Sequence, residues 1–339
     1  MAMKAKDIAE LLNVSTATVS IVLNNKPGVS NETREIVISK IRELGCEYLL
    51  KNLSVTEKGT IGFVVYKRYG KIIEESPFFT YTLESINNSL QKYGYGLKFV
   101  YINKGSSQEE IEFQLHESGC EGFIVYAVEM NDADLDLFTN IRLPFVLLDN
   151  SFQARDVDCV AINNIQGTSK AIRHLYRMGH RKIGYIKCTI PINSFKERYK
   201  EYTYQIQSLG LEYKDEYILN VGYSENEVLE AVQDYLKTAD MPTAFFADND
   251  LLGCFAMQAL KQHGYSIPED ISIVGFDDRP VCKLVEPQLS TIAVPLDLFG
   301  PSAVELLVTK IKKPRTQSLK VDIGTNFVER GSVSRKLLP

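Results

Sequence analysis

Three polar side chains follow apolar runs of the kind that form buried strands. Asp149 ends "PFVLLD", Asn249 follows "TAFFA" and Asp277 follows "ISIVGF". Ligands of open α/β sheets bind at the carboxyl ends of the strands, so these side chains are expected to line one cleft. Carboxylates accept hydrogen bonds and an amide both donates and accepts, which suits the vicinal hydroxyl groups of a sugar. The sequence therefore predicts a pocket for a small, hydroxyl-rich effector.

Aromatic residues are candidates for the walls of this pocket. The three that we single out are Phe78, Tyr126 and Tyr223. Each assignment has a structural alternative: Asn249 can simply cap the next helix, Asp277 can shape a turn, and aromatic residues at strand ends often belong to the core. A purine is the competing effector, because it needs flat aromatic walls more than carboxylates.

A metal-dependent enzyme that acts on a sugar phosphate is the competing class of protein. Four acidic residues are candidates to surround Mg²⁺: Asp248, Asp250, Asp277 and Asp278. However, the chain has no G-x-x-x-x-G-K-[ST], G-x-S-x-G or H-E-x-x-H motif. Its four histidines occupy predicted helical or turn positions, and we assign His180 in "GHRK" a structural role. We therefore expect no enzymatic activity, no metal and no cofactor.

A second candidate for chemistry is "DIAELLNVSTATVSIVLNN", residues 7–25. Its spacing predicts two short helices, with Asn13 in a left-handed turn and Ser15 as N-cap of the second helix. This is the helix-turn-helix arrangement, whose second helix enters the major groove of DNA. The outer face of that helix carries small side chains that permit a close approach to base edges: Thr16, Ala17, Ser20 and Ile21. A helical hairpin without DNA-binding function is the alternative.

This stretch and its continuation, "KPGVSNETREIVISKIRELG", closely resemble the N-terminal domain of the LacI/GalR family of bacterial transcription regulators. The shared core is V-S-x-x-T-V-S, here residues 14–20. Downstream, "GHRKIGYI", "PTAFFADNDLLGCFAMQAL", "GYSIPEDISIVGFDD" and "PQLSTI" are similar to the effector domain of that family, in the same order. The resemblance covers nearly the whole chain.

The resemblance implies further site residues. Arg198, in "SFKERYK", matches the family arginine that reaches the ligand, and joins Asn249 and Asp277. The predicted DNA contacts are Ser15, Thr16, Ala17, Thr18, Ser20, Ile21, Asn24 and Ser30. The large region is then a periplasmic-binding-protein-like pair of lobes, which the chain crosses near residues 161, 291 and 322.

The predicted fold class is an all-α helix-turn-helix domain followed by a two-lobed α/β effector domain of the type I periplasmic-binding-protein-like kind. Residues 1–50 bind DNA, 51–59 form a hinge or linker, and 60–339 bind the effector and dimerise. In the last region continuous apolar runs alternate with helical patterns, as in parallel sheets covered on both faces. Eight of these runs are predicted as strands: "TIGFVVY", "GLKFVYI", "GFIVYAV", "PFVLLD", "CVAI", "KIGYIKC", "TAFFA" and "ISIVGF". Lobe 1 comprises about 60–161 and 291–322, and lobe 2 about 162–290 and 323–339.

Two departures from the family pattern concern DNA recognition. Many relatives carry arginine at the position of Ile21, and isoleucine offers only apolar contact, best matched to a thymine methyl group. The family hinge contains Pro-Asn and Arg-Ser-Leu, whereas "CEYLLKNLSV" has neither proline nor arginine. Three leucines are candidates to wedge open the minor groove: Leu49, Leu50 and Leu53.

Charge and composition favour a dimer that acts in the cytoplasm. The chain of 339 residues has a net charge of -5, and its first 58 residues reach only +1. This weak attraction makes two half-sites on a near-palindromic double-stranded operator more necessary. The six cysteines show no C-x-x-C pair, and we find neither a signal peptide nor an apolar stretch of about 20 residues. We expect a cytoplasmic homodimeric repressor, controlled by a small sugar and without membrane contact.

Overall fold

The computed structural model describes residues 3–24, 26–46, 49, 58–74, 77–138, 140–237 and 240–336, without the side chains of residues 31, 42, 74 and 77–79. The chain divides into two compact units, residues 1–59 and 60–339. The described part contains no helix that is long and apolar enough to cross a bilayer.

The first unit is built from three helices: α1 (Ala5–Leu11), α2 (Thr16–Leu23) and α3 (Asn31–Glu43). Apolar residues three or four positions apart place one face of each helix in a common core. The buried members of this core are Ile8, Ala9, Val19, Val22, Leu23, Val37, Ile41 and Cys46. Val19 and Val22 of α2 are buried in this core together with Ile8 of α1.

Lobe 1 of the second unit contains a six-stranded sheet. Its strands are β1 (Gly59–Lys67), β2 (Tyr95–Asn103), β3 (Gly122–Tyr126), β4 (Phe145–Leu148), β5 (Cys159–Ile162) and β11 (Lys320–Ile323). They are ordered β11-β5-β4-β3-β1-β2, and the pairings β1–β3, β3–β4, β4–β5 and β5–β11 are parallel. The helices of this lobe are α4 (Lys71–Glu74), α5 (Pro77–Tyr93), α6 (Gln108–Glu117) and α11 (Leu296–Lys312).

Strand β1 illustrates why the strands of this sheet consist of continuous apolar runs. Phe63 and Val65 lie in one core, whereas Val64 and Tyr66 lie in a second core. Successive side chains of a strand point to opposite faces, so both faces of the sheet are buried. An alternating polar pattern would have exposed one of them.

Lobe 2 contains a four-stranded parallel sheet in the order β7-β6-β8-β9. These strands are β6 (Ile183–Cys188), β7 (Ile218–Val221), β8 (Ala244–Ala247) and β9 (Ser272–Val274). Its helices are α7 (Asn164–Arg177), α8 (Asn193–Ser208), α9 (Glu225–Tyr235) and α10 (Asp250–Gln262). A two-stranded antiparallel sheet pairs β10 (Thr291–Ala293) with β12 (Asn326–Val328).

The chain passes between the two larger sheets three times. It leaves the six-stranded sheet after Ile162, returns between Ala293 and α11, and leaves again after Ile323. Both lobes are therefore assembled from separate parts of the sequence, as the predicted fold class requires. The individual domain and lobe bounds stay predictions.

Candidate DNA-binding helix and effector pocket

The turn between α1 and α2 is fixed by two local features. Asn13 has φ 51°, a left-handed conformation that asparagine tolerates better than most residues. The Ser15 hydroxyl accepts a hydrogen bond from the Thr18 backbone N–H at 2.9 Å and thereby caps α2. Both features were expected from the sequence, because each depends only on neighbouring residues.

The outward face of α2 is small and polar. Thr16, Ala17 and Ser20 are exposed, while Ile21 is half-buried. The Thr18 hydroxyl lies 2.8 Å from that of Ser15, so this pair is partly engaged within the helix. Apart from the half-buried Ile21, the side chains of this face are small enough to permit a close approach to a DNA groove.

Two other predicted DNA contacts make local hydrogen bonds. The Asn24 amide donates to the Ser20 carbonyl oxygen at 2.8 Å, at the end of α2. The Ser30 hydroxyl accepts from the Thr33 backbone N–H at 3.1 Å, at the start of α3. These bonds give both side chains a structural role in addition to any contact with DNA.

The predicted hinge lies almost entirely outside the described residues, as Leu50 and Leu53 do. Leu49 is described, and it is half-buried against the core of the helical unit. Its backbone N–H donates to the Cys46 carbonyl oxygen at 3.0 Å.

One cavity lies between the lobes, at the carboxyl ends of their strands. It gathers six of the seven predicted effector residues: Tyr126, Asp149, Arg198, Tyr223, Asn249 and Asp277. The seventh predicted residue, Phe78, lies near the start of α5, and its side chain is not among those that the structure describes. The sequence reasoning did not identify Arg279 and Ser194, which also line the cavity. Arg279 follows Asp277 by two residues, and this proximity to a predicted site residue was the available signal.

Asp277 pairs with two arginines. Nε and Nη2 of Arg279 each lie 3.0 Å from Oδ2 of Asp277, and Nη2 of Arg198 lies 3.5 Å from Oδ1. All three side chains are at least nine-tenths buried. Pairing offsets part of the cost of burying these charges, and the single carboxylate is shared by two guanidinium groups.

Arg198 is held on three sides. Its Nε donates to Oδ1 of Asn164 at 2.9 Å, its Nη1 donates to the Asp248 carbonyl oxygen, and its guanidinium lies 3.6 Å from the centroid of the Phe276 ring. Such stacking on an aromatic face favours arginine over lysine. Arg198 is therefore a fixed part of the cavity wall and is not a solvated charge.

Asn249 combines the two roles that the sequence left open. Its Oδ1 accepts from the Leu252 backbone N–H at 3.0 Å and caps α10. Its Nδ2 donates to the Tyr223 hydroxyl at 3.1 Å. The amide therefore orients Tyr223 at the cavity as well as the helix behind it.

Burial raises the pKa of three carboxyl groups in and behind the cavity. Asp149, Asp248 and Asp250 each have a pKa of about 7, and desolvation is the main cause in every case. The charge of Asp277 contributes further for Asp149 and Asp250. Asp149 also has φ 65° directly after β4, a left-handed conformation that aspartate tolerates better than most residues.

The four aspartates considered as metal ligands are each held by protein groups. Asp248 accepts from the Tyr185 hydroxyl and the Cys188 backbone N–H, at 2.5 and 2.6 Å. Asp250 accepts from the Arg279 backbone N–H at 2.7 Å and from the Thr291 hydroxyl. Asp278 pairs with Arg330 at 2.5 Å, and Asp277 with the arginines described above. Within the described residues, no three His, Cys, Asp or Glu side chains are grouped so as to hold a metal ion.

The cavity is contracted. Its volume is about 30 Å³, which corresponds to about one water molecule, whereas pockets for small ligands have volumes of about 300 Å³ or more. The lobes also touch beside it: the Asn193 amide donates to Oδ1 of Asn150 at 3.0 Å, and Lys71 pairs with Glu227 at 3.3 Å. A ligand as large as a sugar can enter only when the lobes separate.

Comparison with known protein families gives two matches. Residues 4–47 match the model described as bacterial regulatory proteins, lacI family, and residues 172–333 match a periplasmic binding protein-like domain. The first match contains α1, α2 and α3, and the second contains most of lobe 2.

Curated relatives are similar over almost their whole length. The ribose operon repressor of Haemophilus influenzae is 31% identical over 333 residues, covering 97% of this chain and 98% of the relative. The HTH-type transcriptional repressor PurR of Aliivibrio salmonicida is 29% identical over 335 residues, with 97% and 98% covered.

Solved structures have the same fold. A LacI family transcriptional regulator from Enterococcus faecium with bound ribose has a TM-score of 0.69 and 25% identity, covering 82% of this chain and all of that one. A complex of the transcriptional regulator CelR with cellobiose has a TM-score of 0.73 and 24% identity, covering 97% and 99%. The predicted fold class is confirmed by these matches.

Proposed function

Because the chain belongs to the lacI family of bacterial regulatory proteins, we propose that α2 reads an operator and that the interlobe cavity receives the controlling effector. The protein is a ligand-responsive, DNA-binding transcriptional repressor. The observation that carries the effector assignment is the convergence of Asp149, Arg198, Asn249 and Asp277 on one cavity.

The DNA-binding proposal rests on the exposed face of α2. Thr16, Ala17 and Ser20 are exposed on a helix whose start is fixed by the Ser15 cap, which supports their assignment as contacts to the major groove. Ile21, beside them, supplies an apolar contact that suits a thymine methyl group. Asn24, Ser30, Thr18 and the hinge leucines Leu49, Leu50 and Leu53 are secondary contacts in this proposal.

The effector is a sugar or a sugar-like molecule. The charged and amide groups of the cavity both donate and accept hydrogen bonds, which matches a hydroxyl-rich ligand. A relative named ribose operon repressor and a regulator structure with bound ribose support this chemistry. A purine effector is the alternative, and relatives named PurR keep it in the ligand screen.

The mechanism couples the cavity to the DNA-binding unit through the lobes. The effector separates or closes the lobes and so changes the packing of a homodimer, which sets the spacing of two helix-turn-helix units on a near-palindromic operator. In this proposal residues 1–50 bind DNA, 51–59 form the hinge, and 60–339 form the effector and dimerisation domain. We propose that the protein acts in the bacterial cytoplasm, because a repressor needs access to its operator DNA.

We further propose that the chain is not an enzyme. Its relatives are transcriptional repressors, and the carboxylates considered for metal binding are held by protein donors. Chromatography of a candidate ligand after prolonged incubation tests this directly, because a repressor returns its ligand unchanged.

The experiment that tests the proposed function begins with selection of an operator from random DNA by the full-length protein. Fluorescence anisotropy then measures operator affinity alone and with sugars or purines. Ser20→Asp places a carboxylate on the outward face of α2, so operator affinity should fall at least about tenfold through repulsion of phosphates. Ser39→Asp, on an exposed position of α3, is the matched control. Equal losses in both variants, or an operator affinity that no ligand alters, would contradict the proposal.

A further inference from the structure

Arg279 is a buried guanidinium at the wall of the interlobe cavity. It is 7% exposed, and its backbone N–H donates to Oδ2 of Asp250 at 2.7 Å. Its Nε and Nη2 form a fork on one oxygen of Asp277, at 3.0 Å each. Arg279 is thus held in place by two carboxylates before any ligand arrives.

The third nitrogen of the Arg279 guanidinium group, Nη1, does not take part in this fork. Nη1 of Arg279 is buried and has no partner with full hydrogen-bond geometry among the described residues, and the neighbour that interacts with this guanidinium at the cavity is the Tyr223 hydroxyl. Arginine stays protonated in proteins, so this nitrogen always carries donor protons. Leaving a buried donor of a charged group unpaired is costly, and a ligand acceptor in the cavity would remove that cost.

Neighbouring groups also offer donors. The Tyr223 oxygen accepts from Asn249, which leaves the Tyr223 proton available to a ligand. The Ser194 hydroxyl lines the same cavity. Both carboxylate oxygens of Asp277 already face arginines, so they are weak candidates for a ligand hydroxyl.

Asp149 is the remaining carboxyl group of the cavity wall. Burial raises its pKa to about 7, so it carries a proton in a large fraction of molecules near neutral pH. In that form it is a donor as well. When Asp149 is protonated, the cavity lining holds two guanidinium groups and one ionised carboxylate, Asp277, which favours a ligand with anionic oxygens.

We propose that Arg279 determines effector specificity and that the effector carries an anionic oxygen group, a carboxylate or a phosphate, on a sugar-sized body. Guanidinium groups recognise both anions with the same planar geometry. This inference rests on the proposed role of the cavity as the effector site. The four polar residues predicted from the sequence are compatible with a neutral sugar. Arg279 changes the expected ligand to an acidic compound.

Calorimetry on the full-length protein tests the ligand class with matched pairs of compounds. Glucuronate and galacturonate supply the carboxylate, glucose 6-phosphate supplies the phosphate, and glucose and galactose are the neutral counterparts. At least one acidic compound should bind at least about tenfold more tightly than its neutral counterpart, since a hydrogen bond to a charged group is among the stronger ones. The acidic compound that binds more tightly than its neutral counterpart shows whether the effector carries a carboxylate or a phosphate.

Arg279→Gln tests the residue. Affinity for the acidic ligand should fall at least about tenfold, while Arg279→Lys, which keeps the charge, should restore part of it. Arg177→Gln removes one exposed positive charge from α7 of the same lobe and should leave affinity unchanged. Circular dichroism and operator binding without ligand verify that each variant is folded.

The proposal is overturned if no acidic compound binds more tightly than its neutral counterpart, or if Arg279→Gln matches Arg177→Gln. A neutral sugar that releases the operator independently of Arg279 would overturn this inference and leave the proposed function intact. An acidic ligand that binds through Arg279 without altering operator affinity would support the inference and count against the proposed function.

Discussion

Asp277 has a structural role in addition to its proposed role in effector binding. It pairs with Arg198 and Arg279, and it has φ 110°, a conformation that favours glycine. Strained backbone of this kind persists where the surroundings fix it, often at binding sites. In the proposed effector site, Asp277 therefore acts largely through the two arginines that it positions.

Asp277→Asn removes the negative charge but keeps the size of the side chain. Effector affinity should fall at least about tenfold, and the free energy of unfolding should fall by about 3 kcal/mol, because two buried guanidinium groups lose their partner. Calorimetry and urea denaturation measure the two effects. Asp278→Asn is the control: Asp278 pairs with Arg330 and does not line the cavity, so effector affinity should stay the same.

Ile21→Arg tests base recognition by α2. An arginine at this position can form a fork with O6 and N7 of guanine, which isoleucine cannot do. The preferred base at one position of each half-site should therefore shift toward guanine. Binding selection with both proteins measures the preference, and an unchanged preference would show that Ile21 lies away from the base edges.

His180 makes the stability of lobe 2 depend on pH. Its ring nitrogens lie 2.9 Å from the Thr243 hydroxyl and 3.1 Å from the Ser334 carbonyl oxygen, and burial lowers its pKa to about 4. The unfolded chain binds this proton near pH 6.5, so stability due to the neutral ring is present above that pH and is lost as pH falls toward 4.

Urea denaturation between pH 7 and 4.5 should therefore show a loss of about 2–3 kcal/mol in the wild type that His180→Gln lacks. The buried aspartates, whose raised pKa values act in the opposite direction over the same range, are common to both proteins. Their effect cancels in the difference. Parallel pH profiles of the two proteins would exclude a buried, neutral His180.

At the scale of elements, the strands with strong local signals were predictable. Eight apolar runs were predicted as strands, and all eight contain one in the structure. The four strands that were missed, β7, β10, β11 and β12, have three or four residues each. Strands β4, β5, β8 and β9 are equally short, but each lies in a largely apolar run, whereas β7, β11 and β12 contain Asn220, Asp322 and Asn326. Strands β10, β11 and β12 form by pairing with distant segments.

The candidate site divides in the same way. The Ser15 cap and the Asn13 turn follow from neighbouring residues, so the sequence was sufficient to predict them. Asp149, Asn249 and Asp277 were predicted because they follow apolar strands. Arg198 was predicted from the family resemblance. The fork of Arg279 on Asp277 joins residues two positions apart, but its geometry depends on the unusual backbone conformation of Asp277. The contraction of the cavity depends on how two lobes pack, which no local pattern encodes.

The Ser15 cap allows a prediction about α2. Ser15→Ala removes the acceptor of the Thr18 N–H, so α2 should be destabilised by about 1 kcal/mol. Amide hydrogen exchange at Thr18 should accelerate, and operator affinity should fall severalfold. Ser39→Ala, on α3, is the matched control, since Ser39 is exposed within that helix. Unchanged exchange at Thr18 would mean that the cap contributes nothing to the order of α2.

At the scale of the whole molecule, two helix-turn-helix units must reach one operator together. The first 58 residues supply a net charge of only +1, so a single unit has little affinity for phosphates. Inserting about five base pairs, half a helical turn, between the half-sites should abolish tight binding because it rotates one half-site to the opposite side of the duplex. The controls are the original operator and an operator in which both half-sites are moved together, so that their spacing is unchanged. Equal affinity for the original and the lengthened spacing would contradict a fixed dimer.

The pairing of β11 with β5 has a consequence for synthesis of the chain. The three helices of the first unit leave the ribosome early, whereas the six-stranded sheet lacks an edge strand until Lys320–Ile323 has been translated. At translation rates of about 5–20 residues per second, this delay lasts roughly 10 to 50 s. During that interval the nascent chain carries its DNA-binding helices without a completed sensor. A polypeptide that stops before Lys320 would keep the helices and lose the control that the effector exerts.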